Sequence, residues 1–311
     1  MKRERKRELG RAWWVVLAML AAAPLAQASP LLVAGMDEHI LQIQEDGTLL
    51  RQLDWPAQPT WASGLVVLSD GDLLIGNLYA NQIQRVDWTT GLLEGQFNVG
   101  RNPQHPSDMV VGRDGKLYVS AAGDDAILRY DLNTGAYIDA FVPTGSGGLA
   151  DPMALSFGPD GNLYVISDWT AQILRYNGST GAFMDVFAAY LPGIAYRGLA
   201  FGSDGYLYTG DFVFAKIMKY NTQTGASSVF VQGTFGDFMP NDLAFGPDGN
   251  LYVADASWDK VLRFNAQTGA PLGTFVENAP NAPSALLFTP EPASLSLLAV
   301  ASVALLRRRR A

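Results

Sequence analysis

Short runs of apolar residues alternate with clusters of glycine, aspartate, asparagine and proline along most of this chain. The runs are rich in Val, Ile, Leu, Phe and Tyr, which is the pattern of short β-strands separated by turns. Two stretches show it most clearly, MALSFGPDGNLYVISDWTAQILRYNGSTGAFMDVF at residues 153–187 and DLAFGPDGNLYVADASWDKVLRFNAQTGAPLGTF at residues 242–275. Each of these stretches contains four predicted strands.

The strand pattern repeats with a period in the forties. Asp-Gly pairs are spaced by 44, 46, 44 and 44 residues, and Thr-Gly pairs follow 20 residues behind with the same spacing. The pairs begin at Asp70, Asp114, Asp160, Asp204 and Asp248, and at Thr90, Thr134, Thr180, Thr224 and Thr268. A period of this length with four strands per unit is typical of β-propeller blades.

The two ends of the repeat region complete a sixth blade. Residues 31–34 and 40–43 align with the second and third strands of the repeat, and residues 283–288 align with an innermost strand. Joined together, the ends close the ring and remove its exposed edges. The pattern therefore predicts an all-β, six-bladed propeller of four-stranded antiparallel blades, with one blade closed by the N- and C-terminal segments.

The repeated polar residues are assigned to the scaffold. Asp-Gly supplies the positive φ that a tight hairpin requires, and Asn-x-x-Thr-Gly suits a type I turn closed by a glycine bulge. Calcium sites at these aspartates are the alternative, which we favour less. A basic residue also recurs once per blade, at Arg129, Arg175, Lys219 and Arg263. A residue that every blade repeats is more typical of blade architecture than of one active site.

The first 28 residues form a predicted secretory signal peptide. Residues 1–11 contain six Lys or Arg and two Glu, and residues 12–26 are apolar. Ala26-Gln27-Ala28 then fits the small-x-small pattern of a cleavage site. A short apolar stretch before such a site favours a removed signal over a permanent span. We therefore expect export and cleavage by signal peptidase before Ser29.

The last 22 residues form a second targeting element. Pro290-Glu291-Pro292 precedes an apolar stretch, residues 293–306, and four arginines, residues 307–310. The arginines favour a cytoplasmic end, and the 14 apolar residues rise about 21 Å as a helix, short of a ~30 Å hydrocarbon core. This segment resembles the PEP-CTERM sorting signal of Gram-negative bacteria. The resemblance implies anchoring by a short transmembrane helix and cutting near Pro-Glu-Pro by an exosortase. A plain C-terminal anchor is the alternative.

Removing both ends changes the charge of the chain. Ten of the 22 basic residues but only two of the 30 acidic ones lie in residues 1–28 and 293–311, so residues 29–292 contain 12 basic and 28 acidic residues, a net charge of −16. Such acidity argues against nucleic acid and against direct binding to anionic lipid. The chain has no cysteine, which excludes disulfides and thiolate chemistry.

The repeat FGPDGNLYVAD, residues 245–255, resembles the NHL-repeat family, and the likeness covers nearly all of residues 29–289. The predicted domains are thus a signal peptide at 1–28, the propeller at 29–289 and the sorting signal at 290–311. Six-bladed sugar-lactone hydrolases and streptogramin lyases are more distant relatives. The resemblance implies the fold more strongly than an activity, because propellers carry many functions.

The resemblance also implies that a ligand would bind at the axis, on the face where the innermost strands begin. The axial positions, one per blade, are Ser63, Ser107, Met153, Arg197, Asn241 and Ser284. Lactonase-type propellers hold a divalent metal there with Glu, Asn and Asp, and only Asn241 matches. Alternation along a strand is expected to turn the following Asp108 and Asp242 away from the axis. Hard cations need several oxygen ligands, so we expect no tightly bound metal or other cofactor.

The loops between second and third strands vary most from blade to blade and carry acids and aromatics, among them Trp169, Phe212 and Trp258. Variation on a regular scaffold is where recognition commonly lies, and the alternative is that these rings fill gaps between blades. A lyase would need a channel histidine. The body has His39 and His105, of which His105 is better placed unless it is an ordinary loop residue.

We therefore predict an exported, exosortase-processed binding or scaffold protein of the cell envelope or extracellular matrix rather than an enzyme. The resemblance to PEP-CTERM proteins links it to bacteria that make exopolysaccharide and biofilms, so a polysaccharide or matrix protein is the expected partner. The candidate ligand-binding residues are Ser63, Ser107, Arg197, Asn241, Ser284, Trp169 and Trp258. The alternative is a hydrolase or lyase acting on a sugar-like substrate.

Overall fold

The computed structural model describes residues 29–37, 39–54, 61–190, 196–234 and 236–289. In these ranges, 24 strands form six separate four-stranded antiparallel sheets. The predicted six-bladed, all-β propeller is therefore confirmed. We number the blades 1 to 6 in chain order and describe each from its innermost strand, the one next to the axis, outwards.

The first three blades contain twelve strands. Blade 1 consists of β4 (Ala62–Val67), β5 (Leu73–Asn77), β6 (Gln82–Val86) and β7 (Leu93–Gln96). Blade 2 consists of β8 (Pro106–Val111), β9 (Lys116–Ala121), β10 (Ala126–Asp131) and β11 (Tyr137–Val142). Blade 3 consists of β12 (Pro152–Phe157), β13 (Leu163–Ser167), β14 (Gln172–Tyr176) and β15 (Phe183–Ala189). Two short 3-10 helices, Ala122–Asp124 and Ser146–Gly148, precede β10 and β12.

The remaining blades include the one that closes the ring. Blade 4 consists of β16 (Tyr196–Phe201), β17 (Tyr206–Asp211), β18 (Lys216–Asn221) and β19 (Ser227–Gln232). Blade 5 consists of β20 (Pro240–Phe245), β21 (Leu251–Asp255), β22 (Lys260–Phe264) and β23 (Pro271–Val276). Blade 6 places β24 (Ala285–Phe288) innermost, followed by β1 (Leu31–Ala34), β2 (His39–Ile43) and β3 (Leu49–Asp54). Leu31 pairs with Phe288, as the alignment of the two ends predicts.

Different connections build the two faces of the disc. One face, here called the turn face, carries the Asp-Gly turns between first and second strands and the Thr-Gly turns between third and fourth strands. The opposite loop face carries the loops between second and third strands and the connections to the next blade. Every innermost strand therefore begins at the loop face and ends at the turn face.

Buried tyrosines of the second strands join the turns to the core in blades 2 to 5. Each hydroxyl donates to the aspartate of its own Asp-Gly turn at 2.8–3.1 Å. Each ring packs edge-on against a phenylalanine of its own outermost strand and one of the next innermost strand, with centroids 4.8–5.1 Å apart. The tyrosines are Tyr118, Tyr164, Tyr208 and Tyr252. These aromatic contacts link consecutive blades.

The turn residues have the scaffold role that the repeat predicts. The glycine of every Asp-Gly and Thr-Gly pair has a positive φ, which glycine adopts without steric cost. The recurring basic residues pair with acids at the same face: Arg129 with Asp139 at 2.6 Å, and Lys219 with Asp204 at 2.8 Å. These charges are therefore parts of the blade rather than of an active site.

None of the helices within the described residues has the length and apolar character of a bilayer span. The predicted signal peptide and the predicted C-terminal anchor, with Ala26, Ala28, Pro290, Glu291 and Pro292, lie outside the described residues.

Candidate functional site

The six residues predicted at the axis surround a single cavity. Its lining includes Ser63, Ser107, Met153, Arg197, Asn241 and Ser284, together with Trp61 and Leu78 of blade 1. The cavity volume is about 40 Å³, which gives room for a few water molecules or one small ion. Pockets that bury an organic ligand are roughly ten times larger. The axis can therefore accept an ion or a small group, but it cannot enclose a sugar ring.

Each of four predicted axial residues donates a hydrogen bond from its own blade to the following one. The hydroxyl of Ser284 donates to the carbonyl of Ala62 at 2.6 Å, and the amide of Asn241 donates to the carbonyl of Pro283 at 3.0 Å. The hydroxyls of Ser63 and Ser107 donate in the same way to the carbonyls of Pro106 and Pro152. Each of these groups already donates a hydrogen bond within the scaffold, so a ligand would meet mainly their acceptor oxygens.

Met153 and Arg197 occupy the same positions in blades 3 and 4. A thioether cannot donate a blade-to-blade bond, and Arg197 brings a positive charge into the channel lining. Burial and then the charge of Asp168 raise the pKa of Asp151, against the lowering effect of the Arg197 charge. Among the predicted axial residues, Arg197 is thus the one with a charge to offer to a ligand.

Two aspartates that were expected to point away from the axis line the same cavity. Asp108 and Asp242 are part of its lining, and the expectation drawn from strand alternation is wrong. The register shifts by one residue between Pro106 and Asp108, and again between Pro240 and Asp242. Such a β-bulge sets two residues of one strand against one residue of its partner, which re-aims their side chains. The innermost strand can then present consecutive residues to the channel.

The two aspartates make matching contacts. Asp108 accepts hydrogen bonds from the backbone N–H groups of Met109 at 2.7 Å and Leu155 at 3.0 Å. Asp242 accepts from Leu243 at 2.8 Å and Leu286 at 2.7 Å. In each case one donor belongs to the same strand and the other to the innermost strand of the next blade. Both carboxyl groups are therefore tied across a blade boundary.

Blades 2 and 5 are three blades apart in a ring of six, so the two carboxyl groups lie on opposite sides of the axis. The preceding blade contributes a glycine in each case. A Cβ on Gly64 would lie 2.9 Å from the backbone N of Met109, and one on Gly198 would lie 2.8 Å from the Cα of Asp242. Larger residues at these glycines would push the innermost strands apart. Blades 1 and 2 thus share this glycine–aspartate contact with blades 4 and 5.

The channel raises the pKa of both carboxyl groups. Burial, and after it the charge of Asp242, raise the pKa of Asp108 well above its ordinary value. Burial raises the pKa of Asp242 to about 7, against the opposing effect of its two N–H donors. Burial in the channel therefore favours the protonated form of both carboxyl groups.

Exposed aromatic side chains stand on the loop face. Trp169 is 77% exposed, Trp258 58%, Tyr79 47% and Phe214 46%. They come from the loops between second and third strands of blades 3, 5, 1 and 4. Filling gaps between blades does not account for rings this exposed, whereas Phe212 is half-buried and fits that role. The ring of Tyr79 also contacts Trp61, with centroids 5.7 Å apart, which connects these loops to the mouth of the axial cavity.

The same loops contain a repeated clamp. Asn81, Asp125 and Asp259 have φ of +54°, +50° and +51°. Their side-chain oxygens accept hydrogen bonds from backbone N–H groups at the start of the next blade, at 2.7–2.8 Å. Ala171 and Ala215 occupy this left-handed position in blades 3 and 4 and have no side chain that could accept such a bond. The clamp therefore operates in only part of the ring.

Neither histidine lines the axial cavity. His39 Nδ1 lies 3.0 Å from Asp54 Oδ1 in the outer part of blade 6. His105 is exposed on the loop face with φ of +49°. Within the part of the chain that the structure describes, no three His, Cys, Asp or Glu side chains are grouped closely enough to hold a metal ion.

No family model and no curated protein matches this chain, but many solved structures share its fold. Virginiamycin B lyase from Staphylococcus aureus is 18% identical with a TM-score of 0.57, over 77% of this chain and 82% of that one. A chain of the nidogen/laminin complex is 17% identical with a TM-score of 0.67, over 83% and 97%. A protein of unknown function from Bacteroides caccae is 12% identical with a TM-score of 0.60, over 83% and 98%. Identities this low show the shared fold alone.

Proposed function

We propose that this chain is an exported propeller that binds a partner through the aromatic side chains of its loop face. The observation that carries the proposal is the exposure of Trp169, Trp258, Tyr79 and Phe214 on one face. Large exposed rings cost solvation free energy in a soluble protein, and groups of them commonly mark interaction sites. The partner proposed here is a polysaccharide of the cell envelope or extracellular matrix, because aromatic rings present flat apolar surfaces on which sugar rings can stack.

The small volume of the axial cavity and the hydrogen bonds of its lining favour binding at the loop face rather than within the channel. The cavity of about 40 Å³ cannot enclose a sugar, and Ser63, Ser107, Asn241 and Ser284 are engaged in blade-to-blade hydrogen bonds. We therefore assign these four to the scaffold. Trp169 and Trp258 remain the proposed ligand-binding residues, and Arg197 remains a candidate at the cavity mouth.

Export and processing are the second part of the proposal. The sequence of residues 1–28 supports cleavage by signal peptidase. Residues 290–311 resemble a PEP-CTERM signal and support processing by an exosortase, which would place the mature protein in the envelope or outside the cell of a Gram-negative bacterium. Whether the processed protein is released or held at the surface follows from the exosortase step and not from the propeller.

The test is a glycan array probed with purified residues 29–289. We expect binding to one or more polysaccharides and a loss of at least tenfold in affinity when Trp169 and Trp258 are both replaced by alanine, about 1.4 kcal/mol or more. A matched control replaces Phe183 and Leu272, which are also exposed but lie on outermost strands. Binding to a matrix protein instead would keep the loop-face assignment and change the partner. An array without signal and a double variant without effect would contradict the proposal.

Catalysis is the second candidate function, and the axial carboxyl pair favours it. Asp108 and Asp242 combine raised pKa values with positions on opposite sides of the axis, which suits a general acid and base. A catalytically inactive variant of virginiamycin B lyase from Staphylococcus aureus has been crystallised with quinupristin, so quinupristin is a suitable first substrate to test. Conversion that Asp242→Asn abolishes would support the enzyme. Turnover that the variant leaves unchanged would exclude these carboxyl groups.

A further inference from the structure

The two ends of the propeller leave it side by side. β1 and β24 are antiparallel neighbours, with Leu31 opposite Phe288. The backbone N–H of Thr289 donates to the carbonyl of Pro30 at 3.0 Å, and the Thr289 hydroxyl donates to the same carbonyl at 3.3 Å. Thr289 is the last described residue before Pro290, and Pro30 follows the first residue after the predicted signal peptide. Both predicted targeting segments therefore connect to one point of the fold.

That point lies on the turn face, close to the axis. β24 is an innermost strand, so it begins at the loop face and ends, at Phe288, at the turn face. Ser284, just before β24, lines the axial cavity. A strand next to the axis ends near the centre of the disc rather than at its rim. The exposed aromatics stand on the opposite face.

The connection to the apolar tail is short. Only Pro290, Glu291 and Pro292 separate Thr289 from the apolar stretch that begins at Ala293. Three residues span at most about 11 Å even when fully extended. The two hydrogen bonds between Thr289 and Pro30 hold the end of β24 in the propeller. The distance between the propeller and the apolar stretch can therefore increase only if this end of the strand frays. A bilayer that holds the apolar stretch must then lie within about one bilayer-leaflet thickness of the turn face.

We infer that the chain, while tethered by its C-terminal tail, is attached to the membrane near the centre of its turn face. The turn face then lies towards the bilayer, and the aromatic loop face is directed away from it. The inference rests on the proposed tethering and deepens it. The tether would present the loop face to a partner outside the membrane before processing takes place. Cleavage would then separate the propeller from this tail, and its binding face would have been accessible throughout.

The tether, rather than attraction to lipid, sets this orientation. The turn face carries Asp70, Asp114, Asp160, Asp204 and Asp248, one in each Asp-Gly turn, and recurring basic residues such as Arg129 and Lys219 are paired with acids at the same face. Anionic lipid attracts basic clusters and repels acidic ones. The disc should therefore lie close to the bilayer without adhering to it, and a body without its tail should not bind vesicles.

Site-specific quenching tests the orientation. The chain contains no cysteine, so one introduced cysteine carries one fluorescent label. Gln223→Cys and Gln267→Cys place the label on exposed Thr-Gly turns of the turn face, and Gln104→Cys and Thr144→Cys place it on exposed connections of the loop face. The full chain, with its tail intact, is reconstituted into phosphatidylethanolamine and phosphatidylglycerol vesicles containing a lipid with a nitroxide on its headgroup.

We expect the turn-face labels to lose most of their fluorescence and the loop-face labels to keep theirs. The strands across the disc are mostly five or six residues long, about 17–20 Å, which places the loop face beyond the range of contact quenching. A flexible insert of about 20 residues between Thr289 and Pro290 is the control, because a chain of that length reaches about 25 Å on average and should remove the difference between the faces.

The outcomes separate the inference from the function on which it rests. A full chain that does not float with the vesicles would overturn the tether, and the orientation with it. A chain that floats but shows equal quenching of both faces, or stronger quenching of the loop face, would overturn the orientation alone.

Discussion

The turn face and the loop face belong to the same six blades but differ in how far their chemistry repeats. On the turn face, blades 2 to 5 repeat one arrangement, in which a buried tyrosine donates to the aspartate of the Asp-Gly turn. On the loop face, the same position of successive loops holds Asn81, Asp125, Ala171, Ala215 or Asp259. The exposed aromatics also differ from blade to blade. Contacts that hold the ring together are thus concentrated on the turn face, where the sequence repeats. Side chains that are available to a partner are concentrated on the loop face, where it does not.

The axial residues include both a repeated set and a set that differs between blades. Ser63, Ser107, Asn241 and Ser284 repeat a blade-to-blade hydrogen bond, as turn-face residues do. Asp108 and Asp242 interrupt the repeat in only two blades, and both have raised pKa values. Position near the axis therefore does not distinguish a functional residue from a structural one. Asp108 and Asp242 also accept hydrogen bonds from the next blade, and what distinguishes them is the raised pKa of a buried carboxyl group.

The largest loss of stability is expected from a charge introduced into the closing strand β24, because both faces of the propeller depend on an intact ring. Leu286 is 8% exposed and packs with Leu31, Val33 and Tyr252. Leu286→Asp should lower the free energy of unfolding by about 5 kcal/mol, because an unpaired charge would be buried beside Asp242. Thermal melting measures the change, and Leu272→Asp on the exposed outermost strand of blade 5 is the matched control. An unchanged melting curve would mean that β24 does not close the ring in solution.

The second prediction compares one aromatic residue from each face of blade 3. Tyr164→Ala should cost about 4 kcal/mol of stability, because it removes a fully buried ring and leaves a cavity. Trp169→Ala should change stability by less than about 0.5 kcal/mol, since its ring is mostly in solvent. Urea unfolding of both variants measures the contrast. Equal losses would show that Trp169 packs into the scaffold and would weaken its assignment to binding.

A third prediction concerns the axial carboxyl pair. Because the folded protein raises the pKa of Asp242 from an ordinary 3.8 to about 7, the folded state binds protons that the unfolded state has released. Its contribution to stability is complete below pH 3.8 and is lost as pH rises through about 7. The loss should be about 2 kcal/mol, less than the full shift implies, because Asp242 is partly exposed to solvent.

Melting curves at pH 5 and pH 8 check this prediction. The decrease in melting temperature between the two pH values should be smaller in Asp242→Asn than in the unmodified protein. Asp237→Asn, at an exposed residue of the loop face, should leave the decrease unchanged. A parallel decrease in all three proteins would show that Asp242 is ionised in the channel at both pH values.

The smallest effects are expected at the loop-face clamp. Asp125→Ala removes the 2.8 Å hydrogen bond to the Asp151 N–H and leaves alanine in a left-handed conformation, which should cost about 1.5 kcal/mol. Ala171→Gly should stabilise the protein by about 0.5 kcal/mol, because glycine adopts the φ of +56° without steric cost. Denaturant midpoints of the two variants should move in opposite directions. If both midpoints moved in the same direction, the hydrogen bond and the backbone conformation at this loop position would not contribute to stability in this way.

Much of the architecture could be predicted from the sequence because each blade is a local unit. Strand periodicity and the turn residues identify the blades, and the partial repeats at residues 31–34, 40–43 and 283–288 predict the closing blade. The roles of the axial residues were harder to predict. Alternation along β8 and β20 placed Asp108 and Asp242 away from the channel, and one register shift in each strand reversed that. The aromatic loops were identified as variable, but their exposure became evident only from the structure.

The number of blades, the closure of the ring and the Asp-Gly and Thr-Gly turns are all evident in the sequence, because they depend on contacts between residues close together in the chain or on a repeat that recurs along it. Which polar groups at the axis are engaged, and which are available, depends on the folded structure. Those assignments depend on contacts between innermost strands more than 40 residues apart, such as Ser107 with Pro152 and Asp242 with Leu286. A one-residue bulge changes them without changing the pattern of hydrophobic and polar positions.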